Sequence, residues 1–326
     1  MRPDGKAHRD DETRKTVWVA LGANLAICVA KAVGGVIAGS PALLSEAAHS
    51  IADSLNEVFL LASLKRSRRP ADARHPFGYG KERFFWSLLA AVGIFVTGGC
   101  FSVFQGIEAL HSDGSESRQG YLVGLAVLVV ALAAEGASLA RALLQVRTAA
   151  RKAGRGMAAE IRAGRDPALR TVLAEDSTAC AGVVLAIVGI VLHMATGEIV
   201  YEACASILIG LLLVYVAYAL GRAARGQLIG EAADPDMQRE VREFLTAEPE
   251  ISSVTALLTM RLGPDSVMLA ARVDLTPGYD SETVEDAMVR IRAVARGRWE
   301  ELDQVFLDVT DAAASRRGAA VDGHHR

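Results

Sequence analysis

The sequence predicts an α-helical membrane protein of six transmembrane helices, followed by a small cytoplasmic α+β domain. Three observations carry that expectation. Of 326 residues, 51% are hydrophobic with a formal charge of -3, and the mean hydropathy of +0.26 comes from long apolar runs. Lysine and arginine alternate between the connections of those runs. After Arg225 the pattern changes from long runs to short amphipathic segments.

The first fifteen residues, MRPDGKAHRDDETRK, are hydrophilic and have no small-residue cleavage pattern, so they predict a cytoplasmic N-terminal arm (1–15) and no signal peptide. Six spans follow, near 16–38, 42–64, 84–108, 119–143, 171–195 and 201–221, each close to the roughly 20 residues a membrane helix needs. The arm carries Arg2, Lys6, Arg9, Arg14 and Lys15. The second-to-third connection carries Lys65, Arg66, Arg68, Arg69, Arg74, Lys81 and Arg83. The fourth-to-fifth carries Arg147, Arg151, Lys152, Arg155, Arg162 and Arg165. The connections on the other side have only Arg118 in 111–118 and none elsewhere. By the positive-inside rule both termini are cytoplasmic, in a multi-pass protein of the cell (inner) membrane. These loops are read as topology and not as a nucleic-acid surface, because the region after residue 230 is acid-rich. Cys28, Cys100, Cys180 and Cys204 fall within spans without paired spacing and read as packed thiols.

The span domain is expected to cover 16–225 and the soluble domain 226–311. Asp234 to Ala247 reads as a helix with Pro235 near its start and Met237, Val241, Phe244 and Leu245 on one side. Ile251 to Leu262 and Ser266 to Leu275 read as strands around the turn Gly263-Pro264-Asp265. Asp280 to Arg298 is a second helix and Asp303 to Val309 a third strand. The order αββαβ, ferredoxin-like in character, places both helices on one sheet face. The tail, 312–326, is expected to be disordered.

His49 and Asp53 lie four residues apart in the second span, so both project from one helix face. An imidazole and a carboxylate aimed at one point suit a borderline divalent metal such as zinc. Ionisable groups cost roughly 2.5 to 3.5 kcal/mol each at mid-membrane, which makes them functional candidates. Glu57 continues the stripe at i+8 with Asn56 beside it. Two readings stay open for it: a wet path to the site, or helix–helix hydrogen bonds. Asn24 in the first span reads as an interhelical hydrogen bond.

The strings SPALLSEAAHSIADSLNEV (Ser40 to Val58), RHPFGYGKERF (Arg74 to Phe84), LAEDSTACAGVVLA (Leu173 to Ala186) and LIGEAAD (Leu228 to Asp234), with the domain order, resemble the cation diffusion facilitator family. They point towards its zinc transporter nine branch. The resemblance implies a homodimer that exchanges a divalent cation, usually zinc, for protons and moves it out of the cytoplasm. It also implies a transport site with two ligands from the second span, His49 and Asp53, and two from the fifth. There Asp176, with Gly182 six positions on, matches the family aspartate, while Val172 stands where the partner ligand belongs. Glu175, Glu135, Cys180 or a water are candidates for the missing ligand. In the second-to-third loop, Asp72 and His75 match extra metal-ligand positions of relatives, whereas Tyr79 replaces a histidine. The alternative there is a turn made by Gly78 and Gly80, with Lys81 in an ion pair for which Glu231 is a candidate. Between 231 and 320 there is no histidine, so the soluble domain is expected to dimerise and not to sense zinc. Asp308 is a lone match to a ligand position there, and the His324-His325 pair is incidental.

His49, Asp53 and Asp176 are expected to hold one metal ion, and protons in its absence, so that the two compete. No permanently bound cofactor is expected, only the transported Zn2+ (or Mn2+, Co2+ or Fe2+) and H+. No HExxH, GxSxG or CxxC signature marks an enzyme, and no phosphate-binding loop suggests ATP. A non-transporting membrane scaffold with a degenerate site is the competing expectation.

Overall fold

The computed structural model describes residues 3–111, 118–152, 154, 156, 157 and 167–310. The tail 312–326 and Arg155, Arg162 and Arg165 lie outside them. Six helices come first: α1 (Pro3–Ala38), α2 (Pro41–Arg66), α3 (Glu82–Ala109), α4 (Arg118–Lys152), α5 (Pro167–Thr196) and α6 (Val200–Ile229). α1 starts at Pro3, so the segment expected as a separate arm is helical and continuous with the first apolar run.

Among the described residues, four helices are long and apolar enough to cross a membrane: Glu82–Ala109, Gln119–Arg151, Leu173–Thr196 and Val200–Ile229. The physical reason α2 is not among them is its charge, since Glu46, Asp53 and Glu57 interrupt its apolar run. In α1 the apolar stretch is the shorter Asn24–Ala38.

α3 is not uniform. Its middle, Ile94–Cys100, winds as a π-helix, a widening that often re-aims side chains. It carries Gly98 and Gly99 against α6. A Cβ on Gly99 would lie 2.8 Å from Val214 Cγ2, and one on Gly210 only 2.9 Å from the Gly99 carbonyl. Small residues of this kind let two backbones approach without side chains between them. Gly210→Val should therefore overpack this contact at a cost of about 1–3 kcal/mol. The check is the thermal midpoint of the detergent-solubilised protein, and an unchanged midpoint would refute the close approach. Leu43, Ala52, Leu128, Val183, Ile190, Ile209 and Leu213 form the apolar centre of the bundle.

The remaining elements are α7 (Pro235–Thr246), β1 (Ile251–Gly263), β2 (Ser266–Leu275), α8 (Ser281–Arg298) and β3 (Leu302–Val309). The Asp234 carboxylate accepts from Asp236 N at 2.8 Å and opens α7, with Pro235 in its first turn. Asp280 does the same for α8 through Thr283 N. β1 and β2 pair antiparallel, with Leu257 opposite Ala271. α8 then returns the chain so that β3 lies parallel to β2, Phe306 opposite Ala270. The result is a mixed three-stranded sheet in the order β1-β2-β3. Val267, Leu269, Ala271 and Val273 alternate inward on β2 to meet Val241, Leu245, Met288 and Ile291 of the helices.

The chain divides into two compact units, Met1–Leu61 with Ser87–Arg222, and Ala62–Trp86 with Ala223–Arg326. The second unit thus includes the loop between α2 and α3 as well as the sheet.

Candidate cation-binding site

The α2 face predicted from the HxxxD spacing is present. His49 is buried, at 4% exposure. Its Nε2 lies 3.6 Å from Asp53 Oδ2, while Nδ1 lies 3.8 Å from Glu46 Oε1. α5 packs directly across this face, and Gly182 permits it: a Cβ there would collide with Glu46 Oε1 and sit 3.5 Å from His49 Nδ1. A larger residue at 182 would push α5 away from the histidine.

α5 brings the fifth-span candidates to the same region. The charges acting on Asp53 are His49, Lys31, Glu46 and Asp176. Those acting on Glu175 include Asp53, Asp176 and Glu57. Ser138 of α4 hydrogen-bonds Asp176, whose Oδ2 is buried without a hydrogen-bond partner. Glu175 accepts from Asn56 Nδ2 at 2.8 Å. His49, Asp53, Glu175 and Asp176 are therefore electrostatic neighbours. Among the described residues, however, no three His, Cys, Asp or Glu side chains are already drawn into a ligand set.

Sequence reasoning missed the other half of the site. Lys31 of α1 is 1% exposed and Glu46 of α2 is 0% exposed. The Lys31 ammonium donates to Glu46 Oε2 at 2.9 Å and to Glu135 Oε1 on α4 at 3.1 Å. One buried cation thus joins two carboxylates from two other helices. Glu135, read from sequence as a spare ligand without a nearby partner, is held by Lys31. Glu46 Oε1 and Glu135 Oε2 keep no hydrogen-bond partner. The charges acting on Cys180 include Glu135, Asp176, Glu46 and Lys31, so the thiol lies within electrostatic reach of this cluster. The available signal was a lysine inside an apolar run and a glutamate one turn before His49. Glu46 Oε1 lies beside the Nδ1 side of the His49 imidazole, at 3.8 Å, without hydrogen-bonding it.

The other candidates resolve into ordinary contacts. Asn24 Nδ2 donates to Glu57 Oε1 at 2.9 Å. Asn24, Glu57 and Asn56 thus make the interhelical hydrogen bonds that were one of the two readings of the stripe. Lys81 reaches the Leu228 carbonyl at 3.4 Å and Met260 Sδ at 3.8 Å, not the Glu231 carboxylate. The Glu231 backbone carbonyl accepts from Arg261 N at 2.9 Å. Asp308 pairs with Arg272 at 2.9 Å. The four cysteines are free; Cys28 is buried, Cys180 half-buried, and Cys100 and Cys204 exposed, so only part of the packed-thiol reading holds.

Asp72 and His75 form a self-contained turn. Asp72 Oδ1 accepts from the Arg74 and His75 amides at 2.9 and 2.7 Å, and Oδ2 accepts from the Tyr79 hydroxyl at 2.6 Å. Tyr79 also packs at a tilt against His75 and lies under Arg69. Gly78 turns the chain at φ +80, and Gly80 abuts Gly263. The Tyr79 hydroxyl, followed by the His75 amide, holds the Asp72 carboxyl below its usual range, and the same bond pushes the Tyr79 phenol up. The Asp72 contribution to stability is thus present above the unfolded carboxyl's pKa, about 3.9, and fades as pH falls through the lowered value. The phenol's contribution is present below about 10 and fades as pH rises through its raised value. Tyr79→Phe should remove a tyrosinate absorbance step lying above pH of about 10. A difference titration in which the lost step lies at or below that value would contradict the bond.

An apolar helical bundle with ionisable groups turned inward on α2 and α5 defines the membrane domain of an ion-handling protein. The family model described as "Cation efflux transmembrane domain" matches residues 17–229. The chain belongs to the cation efflux, or cation diffusion facilitator, family. It is 33% identical to Metal tolerance protein C4 of Arabidopsis thaliana over 81% of this chain and 58% of that protein. It is 31% identical to Proton-coupled zinc antiporter SLC30A9, mitochondrial, of Xenopus laevis over 94% of this chain and 56% of that one. Magnetosome protein MamM of Paramagnetospirillum magneticum is 26% identical over 90% of this chain and 87% of its own length. The chain spans a little over half the length of the first two.

Proposed function

We propose that this protein is a proton-coupled antiporter that exports a divalent metal cation, Zn2+ first among candidates, from the cytoplasm. The observation that carries the reading is the α2 face of buried His49 and part-exposed Asp53, lying within electrostatic reach of Asp176 and Glu175 on α5. His49, Asp53 and Asp176 bind the ion, with Glu175 preferred of the two supplementary carboxylates because Glu135 is engaged by Lys31. When the metal leaves, the same groups take protons, and this competition couples the two fluxes. Alternating access tilts the bundle so that the site faces each side in turn.

In this reading all six helices span the cell inner membrane, with both termini cytoplasmic. The membrane domain occupies 16–225, and the αββαβ domain, 226–311, dimerises two copies. The relatives named as zinc antiporters and metal tolerance proteins support the cargo class.

The test is metal uptake into proteoliposomes under an imposed pH gradient, comparing zinc, manganese, cobalt and iron. Gradient-dependent flux that Asp176→Ala abolishes is the expected result. No flux with any metal from a folded dimer would replace the antiporter with the scaffold reading.

A further inference from the structure

We infer a second divalent-cation site at the end of the bundle where α5 turns into α6, built on His193 and Glu202. His193 Nδ1 of α5 lies 3.9 Å from Glu202 Oε1 of α6. That separation is beyond the roughly 3.2 Å reach of an N–H···O hydrogen bond. Both facing atoms are buried and have no hydrogen-bond partner. The Tyr121 hydroxyl is in the same condition, and its ring packs at a tilt against His193 with centroids 5.1 Å apart.

The arrangement is built. Glu202 is 0% exposed, and its other oxygen, Oε2, accepts from Ser40 Oγ in the turn between α1 and α2. Ser40 is itself fixed by its amide on the Gly35 carbonyl at 3.1 Å. The carboxylate is thereby oriented with Oε1 towards the imidazole. Gly189 brings the two helices together just before this point, since a Cβ there would lie 2.7 Å from Ala205 Cβ. The turn after His193 closes through Gly197, at φ +80, whose amide donates to the His193 carbonyl at 2.7 Å.

Leaving a buried polar atom unpaired costs about 1–3 kcal/mol, so neighbouring orphan atoms point to a shared ligand. Zinc bonds to imidazole nitrogen and carboxylate oxygen sum to about 4.1 Å. One ion fits between the two atoms, and a closure of about half an ångström gives a tetrahedral angle. Water supplies the remaining positions. With one imidazole and one carboxylate, the site suits zinc or cobalt, and its oxygen share admits manganese. Two charged or imidazole ligands make it an open site that releases its ion, unlike a closed structural one. It shares no residue with the α2–α5 site and stands without the transport reading.

The experiment titrates Zn2+ alone into the protein in lipid nanodiscs against a chromophoric zinc chelator. The expected stoichiometry is two ions per chain. His193→Phe keeps the ring against Tyr121 and should lower it to one. Glu202→Gln, nearly isosteric, should do the same. Asp53→Ala should also leave one, and Asp53→Ala with His193→Phe none. An unchanged stoichiometry in folded His193→Phe overturns the second site, and so does zero zinc in Asp53→Ala. An ion lost in His193→Phe but none lost in Asp53→Ala upholds the second site and counts against the α2–α5 site instead.

Discussion

Lys31→Met is expected to destabilise the bundle by about 3–5 kcal/mol, the usual cost of removing one partner from a buried ion pair. Methionine matches the lysine stem in length, so the change removes charge and little packing. Glu46, 0% exposed, would then hold a carboxylate without its lysine and without solvent, the His49 imidazole lying 3.8 Å away. Glu135, 17% exposed in its side chain, would lose the ammonium at 3.1 Å. Adding Glu46→Gln to Lys31→Met should recover part of the loss, because the uncompensated buried charge is what costs most. Thermal unfolding of the solubilised protein measures both. A Lys31→Met midpoint equal to that of the native protein would show that the triad holds nothing together.

Asp53→Ala should abolish gradient-driven metal flux while leaving the thermal midpoint near that of the native protein. Its side chain is 35% exposed and sits outside the Lys31 triad, so folding depends on it little. Removing a ligand should lower flux by more than the 10–100-fold typical of an outer-shell partner. Glu46→Gln provides the comparison: as the group beside His49 Nδ1, it should weaken metal affinity within that 10–100-fold range. Normal flux in a folded Asp53→Ala variant would sink the mechanism. Equal effects of Asp53→Ala and Glu46→Gln would instead promote Glu46 to a ligand.

What was legible in the sequence was whatever local spacing encodes. The αββαβ order was legible from Pro235 near the start of the first helix, from Met237, Val241, Phe244 and Leu245 along one side of it, and from the Gly263-Pro264-Asp265 turn between the first two strands. His49 and Asp53 share a face because four residues make about one helical turn. Asp176 could be aligned through Gly182, although the reason for that glycine became visible only when α5 was seen against Glu46 and His49.

What the tertiary structure alone decided are the partnerships between distant residues. Lys31 meets Glu135 across 104 positions, and Ser40 meets Glu202 across 162. Glu135 looked unattached because no neighbour in sequence could reach it, and Lys81 found a backbone carbonyl in place of the expected carboxylate. Helical period and strand alternation act between residues a few positions apart, so one chain displays them directly. Which buried charges neutralise one another depends on which helices touch and at what depth, and that is settled only when the whole bundle packs.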